Sequence, residues 1–257
     1  MNKVGYDAIV PGNNDFLFGP QNLLKLSEIA NFPFLACNIK HQKTDELLFD
    51  PYKIINIKGS KVGILGLANS EINETVLNKN LEGIKIEDSL ESMNFWVSKL
   101  VDKVDILILL TSSGVPWDRD EVYEKFVNAM EKDLSVDKSL NAIEIGYFAE
   151  DIDIIISGGI SKGYRSPWYD KNSHTYTFQN YGNGKSFGHY YIEFDSKTNL
   201  FTGYKSAVTN SISQTLFIDD FSYDTEIFDW LKERNSLSIK DVYKQVDWSS
   251  VINSDKD

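Results

Sequence analysis

Two apolar runs constrain this chain more than anything else in it: Asp105-Ile106-Leu107-Ile108-Leu109-Leu110 and Ile152-Asp153-Ile154-Ile155-Ile156. Both lack the alternation of a half-solvated strand, so they are expected to be central strands covered on both faces. Each runs into a short turn of small residues, Thr111-Ser112-Ser113-Gly114 after the first and Ser157-Gly158-Gly159-Ile160-Ser161 after the second. A third apolar stretch, Asp7 to Val10, runs straight into Gly12-Asn13-Asn14-Asp15. Apolar strands ending in polar turns place those turns at the mouth of an α/β sheet, where such folds bind ligands.

The segments between these runs fit the same architecture. Pro20 stands where a helix can begin, with Leu23, Leu26 and Ala30 on one face. Phe32 to Ile39 is predicted as a short buried strand. Tyr52 to Ile57 and Lys61 to Leu67 are joined by Gly59-Ser60, a hairpin signal. The glycines of Lys61-Val62-Gly63-Ile64-Leu65-Gly66-Leu67 suit close backbone packing better than a phosphate cradle, because no helical pattern follows. Asp88 with Glu91, and Asp118 with Glu121, have capping-box spacing ahead of two amphipathic stripes. Beyond Asp151 the pattern changes. Thr175 to Gln179 and Phe187 to Phe194 alternate as β on either side of Tyr181-Gly182-Asn183-Gly184, and Phe201 to Lys205 extends them into a meander. A short helix is expected from Asp224 to Arg234, and the polar tail from Trp248 is expected to fray. Helices alternating with strands, then a meander, predict an α/β layered domain over residues 1–220, with a C-terminal helix and tail over 221–257.

Composition narrows the function. A chain of 257 residues with 42% hydrophobic and 13% aromatic residues has enough apolar surface for a substantial core. Its formal charge of -12 argues against nucleic acid or an anionic membrane as partner, because phosphate binding needs a basic surface. The single cysteine, Cys37, lies in an apolar run and reads as a buried inert thiol. No stretch approaches the ~20 apolar residues of a membrane span, and no export signal is legible at the N-terminus. The three histidines, His41, His174 and His189, set a hard limit on any imidazole-based metal site.

Tyr6-Asp7-Ala8, followed by Gly12-Asn13-Asn14-Asp15-Phe16, resembles the YDA-x-x-x-G-N-H-E-F block of the calcineurin-like metallophosphoesterases, in particular the 5'-nucleotidase / UDP-sugar hydrolase branch. Phe32-Pro33 through Ala36 and Asn38-Ile39, Lys61 to Leu67, and Gln179-Asn180-Tyr181-Gly182 through Gly188-His189 resemble further blocks of that family. The resemblance covers roughly Lys3 to Tyr204. It implies a four-layer αββα sandwich with mixed sheets, here without the family's N-terminal ligand loops. It also implies hydrolysis of nucleotide phosphate esters by two divalent metals such as zinc, manganese or iron, clamping the attacking and leaving oxygens.

Set against that pattern, Asn13 holds the metal-bridging position and Asn14 the catalytic-histidine position. Ser112, Gly159 and Ser161 stand where the family has metal-binding histidines. Neutral Ser and Gly do not replace imidazole for zinc, manganese or iron, so no metal cofactor is expected. Asp15, Trp117, Trp168 and Tyr181 are candidates to line the crevice. The two tryptophans, each after a proline, can either stack on a base or sugar or pack their loops onto the sheet. His174 and His189 read as packing or hydrogen-bonding residues. The family's longer members add a C-terminal domain that binds the nucleobase, so the expectation is a pseudoenzyme with a binding or assembly role. The alternative is a residual phosphoesterase that works with a partner chain carrying the missing parts. The family is largely periplasmic or surface-attached, and nothing in this chain fixes its location.

Overall fold

The computed structural model describes residues 1–234 except 133, 135–138, 196, 199, 207–213, 217–221 and 223. The predicted fray from Trp248 lies outside the described residues. The chain divides into two compact units, Met1–Phe217 and Ile218–Asp257. The first holds helices α1 (Pro20–Ile29), α2 (Ile72–Thr75), α3 (Ser89–Leu100), α4 (Arg119–Glu131) and α5 (Ala142–Tyr147). Its strands are β1 (Ile39–His41), β2 (Tyr52–Ile57), β3 (Ser60–Leu67), β4 (Ile84–Ile86), β5 (Ile106–Thr111) and β6 (Ile154–Ser157). They continue as β7 (Trp168–Tyr169), β8 (Tyr176–Gln179), β9 (Ser186–Gly188), β10 (Tyr190–Phe194), β11 (Phe201–Ser206) and β12 (Gln214–Leu216). The second unit holds a helix over residues 225–234, whose first turn is capped by Asp224 Oδ1 accepting from Ile227 N–H at 2.9 Å.

A six-stranded mixed sheet in the order β2-β3-β5-β6-β8-β7 organises the first unit. The inner strands β3, β5, β6 and β8 run parallel, and β2 and β7 close the two edges antiparallel. The apolar runs therefore lie in the middle, where both faces are covered. One face carries Leu65, Leu67, Leu107, Leu109 and Ile155 against Met93, Val97 and Leu100 of α3, Phe126 of α4 and Ile145 of α5. At the β8 end the opposite face is covered by the β10–β11 hairpin. The Phe178 ring stacks on Tyr190 at 4.2 Å, and Tyr176 and Phe178 meet Tyr204 edge-on. A second core gathers Phe16, Leu23, Phe34, Ile39, Ile72 and Ile84. The architecture is an α/β sandwich, a mixed sheet with flanking helices.

Several local expectations hold for stated reasons. Lys58 and Gly59 both take positive φ (53° and 97°), the pair of left-handed residues that a two-residue hairpin requires. A Cβ at Gly66 would lie 2.4 Å from the Leu35 carbonyl oxygen, so β3 passes the 33–36 segment at a distance only glycine permits. Asp88 caps α3, its Oδ1 accepting from Leu90 and Glu91 N–H at 2.9 and 3.0 Å. Cys37 is buried, and that burial pushes its thiol up to about 12.

Three expectations are corrected. The opening strand shrinks to a single parallel bridge, Ile9 to Phe34, because among the described residues no second neighbour flanks it and Pro11 interrupts the backbone donors. Asp118 starts α4 without a side-chain cap; the helix instead opens with Asp120 and Glu121, acidic residues that suit its positive end. The 175–179 and 187–194 segments do not pair around Tyr181-Gly182-Asn183-Gly184. Both edges of β8 are already taken, by β6 and β7, so the second segment divides at His189 into β9, paired with β12, and β10, paired with β11.

Candidate functional site

The turns that follow the parallel strands meet at one end of the sheet. The Thr111–Gly114 turn leaves β5, the Gly158–Ser161 turn leaves β6, and the Gly12–Asp15 turn approaches from the N-terminal segment. Between them lies a cleft of about 580 Å³ lined by Ile9, Gly12, Asn13, Asn14, Asp15, Ser112 and Gly159, among others. A second cleft of about 270 Å³ adjoins it and shares Asn13, Ser112 and Gly159. Asn69, Glu71, Trp117 and Asn141 also line it.

The first turn is held mostly by itself. Asp15 Oδ2 accepts from Gly12 N–H at 2.8 Å, Asp15 N–H donates to the Gly12 carbonyl at 3.0 Å, and residues 13–16 form one turn of 3-10 helix. Asn13 Nδ2 donates to Thr75 Oγ1 at 2.6 Å, and Asn14 is exposed at the rim.

The other two turns are clamped to each other. Gly159 takes φ +94°, and a Cβ there would lie 2.1 Å from the Ser112 carbonyl oxygen. No side chain fits at 159 unless one loop moves, because real Cβ contacts do not fall below 3.0 Å. A Cβ at Gly114 would lie 2.7 Å from Ile160 Cγ2 in the same way. Ser112 is 5% exposed, and its Oγ accepts from Asn69 N–H at 2.8 Å. Ser161 is exposed, and its carbonyl accepts from Gly182 N–H at 3.0 Å.

Gln179, 3% exposed at the end of β8, joins these loops. Its Oε1 accepts from Val115 N–H at 2.6 Å and from Ser157 Oγ at 2.7 Å, and its Nε2 donates to the Lys162 carbonyl at 2.6 Å. The Tyr164 hydroxyl donates to the Pro116 carbonyl, and the Arg119 guanidinium lies 4.4 Å from the centre of the Tyr164 ring. The Tyr123 hydroxyl donates to Asp170, a buried carboxylate that also accepts from Asn172 and Ser173 N–H at 2.8 and 3.0 Å. Burial, and then the Asp170 carboxylate, pushes the Tyr123 phenol above its usual range. Gln179 stands in a block quoted for the resemblance, and Asp170 lies nine residues before it. Their roles depend on contacts 47 to 64 residues away, which no local pattern announces.

The candidate crevice residues are not all in one place. Asp15 lines the larger cleft, and Trp117 lines the smaller one, 63% exposed with Lys162 Nζ 4.9 Å from its ring centre. Trp168 and Tyr181 line neither. Trp168 packs beside Val115, Ala142 and Ile143 with its ring 4.9 Å from Tyr123. Tyr181 N–H donates to Ser186 Oγ at 3.1 Å in the turn before β9. His41 lies on β1, His174 Nδ1 meets the Tyr169 hydroxyl at 2.8 Å, and the His189 ring lies 5.7 Å from Tyr191. None of the three lines either cleft.

A pair of divalent metals, which the resemblance implies, does not fit these residues. Asn13 offers one neutral amide oxygen, the Ser112 hydroxyl is already engaged, and position 159 has no room for a side chain. Among the described residues, no three His, Cys, Asp or Glu side chains converge to hold an ion.

No family model matches the chain. The 5'-nucleotidase of Vibrio vulnificus is 25% identical over 253 residues, 90% of this chain and 44% of that protein. The Bos taurus 5'-nucleotidase is 25% identical over 259 residues, 96% of this chain and 42% of its own length. The chain therefore spans less than half the length of these curated relatives. Among solved structures, the calcineurin-like phosphoesterase YfkN from Bacillus subtilis superposes with a TM-score of 0.71 at 21% identity, over 95% of this chain and 73% of that one. The chain is thus similar to a metallophosphoesterase-like domain of the 5'-nucleotidase family, over part of its relatives' length.

Proposed function

We propose that this domain keeps the scaffold of a nucleotide phosphoesterase and serves in binding or assembly, without metal-dependent hydrolysis of its own. The observation that carries the reading is the 2.1 Å approach of a Gly159 Cβ to the Ser112 carbonyl. Two loops that would have to present imidazoles to a shared pair of ions are instead packed backbone against backbone. Two-metal hydrolysis needs several rigid ligands at strand ends, and the aligned positions here carry Asn, Ser, Gly and Ser. The test is phosphate release from a panel of nucleoside monophosphates and UDP-sugars, with the protein equilibrated in turn with Mn²⁺ and Zn²⁺. The expected result is release no faster than in protein-free controls containing the same metals. Metal-dependent turnover that titrates with protein would refute the reading.

A second reading is favoured by Asn13, which lines both clefts at the junction of all three turns. On that reading the domain is a residual nucleotidase completed by a partner chain that supplies the missing ligands. It requires activity to emerge only on mixing with that partner and to vanish in Asn13→Ala.

A further inference from the structure

Trp117 and Trp168 each follow a proline, and the fold puts them to different uses. Trp168 packs beside Val115, Ala142 and Ile143. The Trp117 loop is held through its main chain instead. The Tyr164 hydroxyl donates to the Pro116 carbonyl and lies 3.2 Å from the Trp117 carbonyl, and Val115 N–H donates to Gln179. The Trp117 ring is left 63% exposed as a wall of the smaller cleft, of about 270 Å³. Beside it stands a row of rings and cations. Lys162 Nζ lies 4.9 Å from the centre of the Trp117 ring and 5.6 Å from that of Tyr164. The Arg119 guanidinium lies 4.4 Å from Tyr164 and 5.6 Å from Trp168. Among the described residues neither cation forms an ion pair, although the chain carries a net charge of -12. The cleft itself is polar, with Ser113, Asn141 and Glu71 among its lining residues. Ser113 is 1% exposed, and its hydroxyl has no hydrogen-bond partner among the described residues. A buried polar group left unpaired in a cleft wall calls for an occupant that bonds to it. Asn141 spends its Oδ1 on Ile143 and Glu144 N–H, at 3.1 and 3.2 Å, and keeps its Nδ2 donors.

We propose that this cleft binds the pyranose ring of an acidic sugar, a uronate, with the ring stacked on Trp117 and its carboxylate at Lys162. The proposal rests on the binding reading of the domain and deepens it by naming the ligand class. An indole offers a flat apolar face, and the axial C–H groups of a pyranose present another in return. A sugar hydroxyl both donates and accepts, so it can pair with the Glu71 carboxylate on one side and with Asn141 Nδ2 or Ser113 Oγ on the other. A nucleobase can stack on the same ring, but each of its edge groups only donates or only accepts, a poorer answer to that mixed set. The Lys162 ammonium, held against two rings without a carboxylate partner among the described residues, is a ready counterion for one. A single negative charge suits the cleft better than a phosphate dianion, because Glu71 in the same wall penalises each added charge. The uronate is either the free acid or the end of a saccharide chain, and both present the same ring and carboxylate.

The test titrates sodium glucuronate into the full ¹⁵N-labelled chain and follows the indole N–H resonances, that of Trp117 being the one missing in Trp117→Ala. Saturable binding that shifts the Trp117 resonance is expected, with glucose, which lacks the carboxylate, binding at least ~10-fold more weakly. Trp117→Ala should weaken glucuronate binding at least ~10-fold with the melting temperature unchanged. Lys162→Met keeps the aliphatic stem and removes the charge. It should abolish the preference for glucuronate over glucose and leave the affinity for glucose as it was, a result that a merely structural lysine would not give. If Trp117→Ala fails to fold, the two titrations of Lys162→Met decide. Methyl glucuronide that binds at least as tightly as glucuronate assigns the end of a saccharide chain, and weaker binding assigns the free acid; both sustain the proposal. Three results would overturn it: no binding at ~50 mM glucuronate, equal affinity of the parent protein for glucose and glucuronate, or tighter binding of uridine monophosphate at Trp117. None depends on whether the domain hydrolyses phosphate esters, so failure here is separable from failure of the functional reading.

Discussion

The two ends of the central strands are built differently. At the N-terminal end one device appears twice. Asp105, just before β5, accepts from Lys61 N–H on β3 at 2.7 Å through Oδ2. Asp153, just before β6, accepts from Leu107 N–H on β5 at 2.9 Å in the same way. Each carboxylate satisfies the first free donor of the neighbouring strand, and the strands start in register. At the C-terminal end nothing repeats. One turn folds on itself through Asp15, two others interlock through Gly159 and Ser112, and Gln179 fastens the interlocked pair to β8. The N-terminal end is concerned only with pairing strands. The C-terminal end, where this architecture places ligands, has loops whose conformation is fixed by each other and not by the strands that lead to them.

That contrast can be broken most severely at residue 159. Gly159→His reinstates an imidazole at the aligned position, yet it forces a side chain into a left-handed backbone and against a carbonyl. We expect a loss of about 3 kcal/mol or more in urea denaturation, with no gain in Mn²⁺ affinity. Gly159→His that is stable and binds metal would show the two loops to be independent. Next in size is Gln179→Ala. It leaves the Val115 N–H, the Ser157 hydroxyl and the Lys162 carbonyl without their partner inside the fold, for about 2–3 kcal/mol by the same measurement. At the other end, Asp105→Ala removes the solvent-accessible acceptor of the Lys61 N–H and should cost about 1 kcal/mol. If Asp105→Ala cost as much as Gln179→Ala, the distinction between the two ends would lose its energetic basis.

The smallest effect is one of pH. Burial raises the Asp153 carboxyl above its usual range, outweighing the Leu107 N–H that lowers it. A raised folded-state value means the ionised carboxylate weighs against the native state. That cost is fully present above the folded value and disappears as pH falls below the unfolded value of about 3.9. Asp153→Asn keeps a carbonyl acceptor for Leu107 and removes the ionisation. The variant should melt slightly higher than the parent at neutral pH, with the difference closing as the solution is acidified towards pH ~4. A gap that widened on acidification would mean Asp153 is stabilised as an anion.

What could be read from the sequence follows the same division. The central strands declare themselves because an unbroken run such as Ile106 to Leu110 has few other uses. The hairpin signalled by Gly59-Ser60, which turns at Lys58-Gly59, and the Asp88 cap are decided by residues within three positions of each other. The family blocks also located all three turns of the site. What stayed hidden depends on contacts across the chain. The two-sided pairing of β8 denied a partner to the segment after Tyr181. Gln179 looks like an ordinary polar residue at a strand end until Val115 is brought to it. Glycine at 159 reads from sequence as a missing ligand, whereas in space it is a close contact with the Ser112 carbonyl that leaves no room for a side chain.

The proposed absence of metal-dependent hydrolysis rests on whether the three turns can hold metal ions. The direct measurement is a titration of the purified protein with Mn²⁺, followed by electron paramagnetic resonance and checked by elemental analysis after desalting. No stoichiometric uptake is expected, with a spectrum that remains that of the free ion. One or two ions retained per chain, with uptake abolished by Asn13→Ala, would contradict it and restore the domain to the working phosphoesterases.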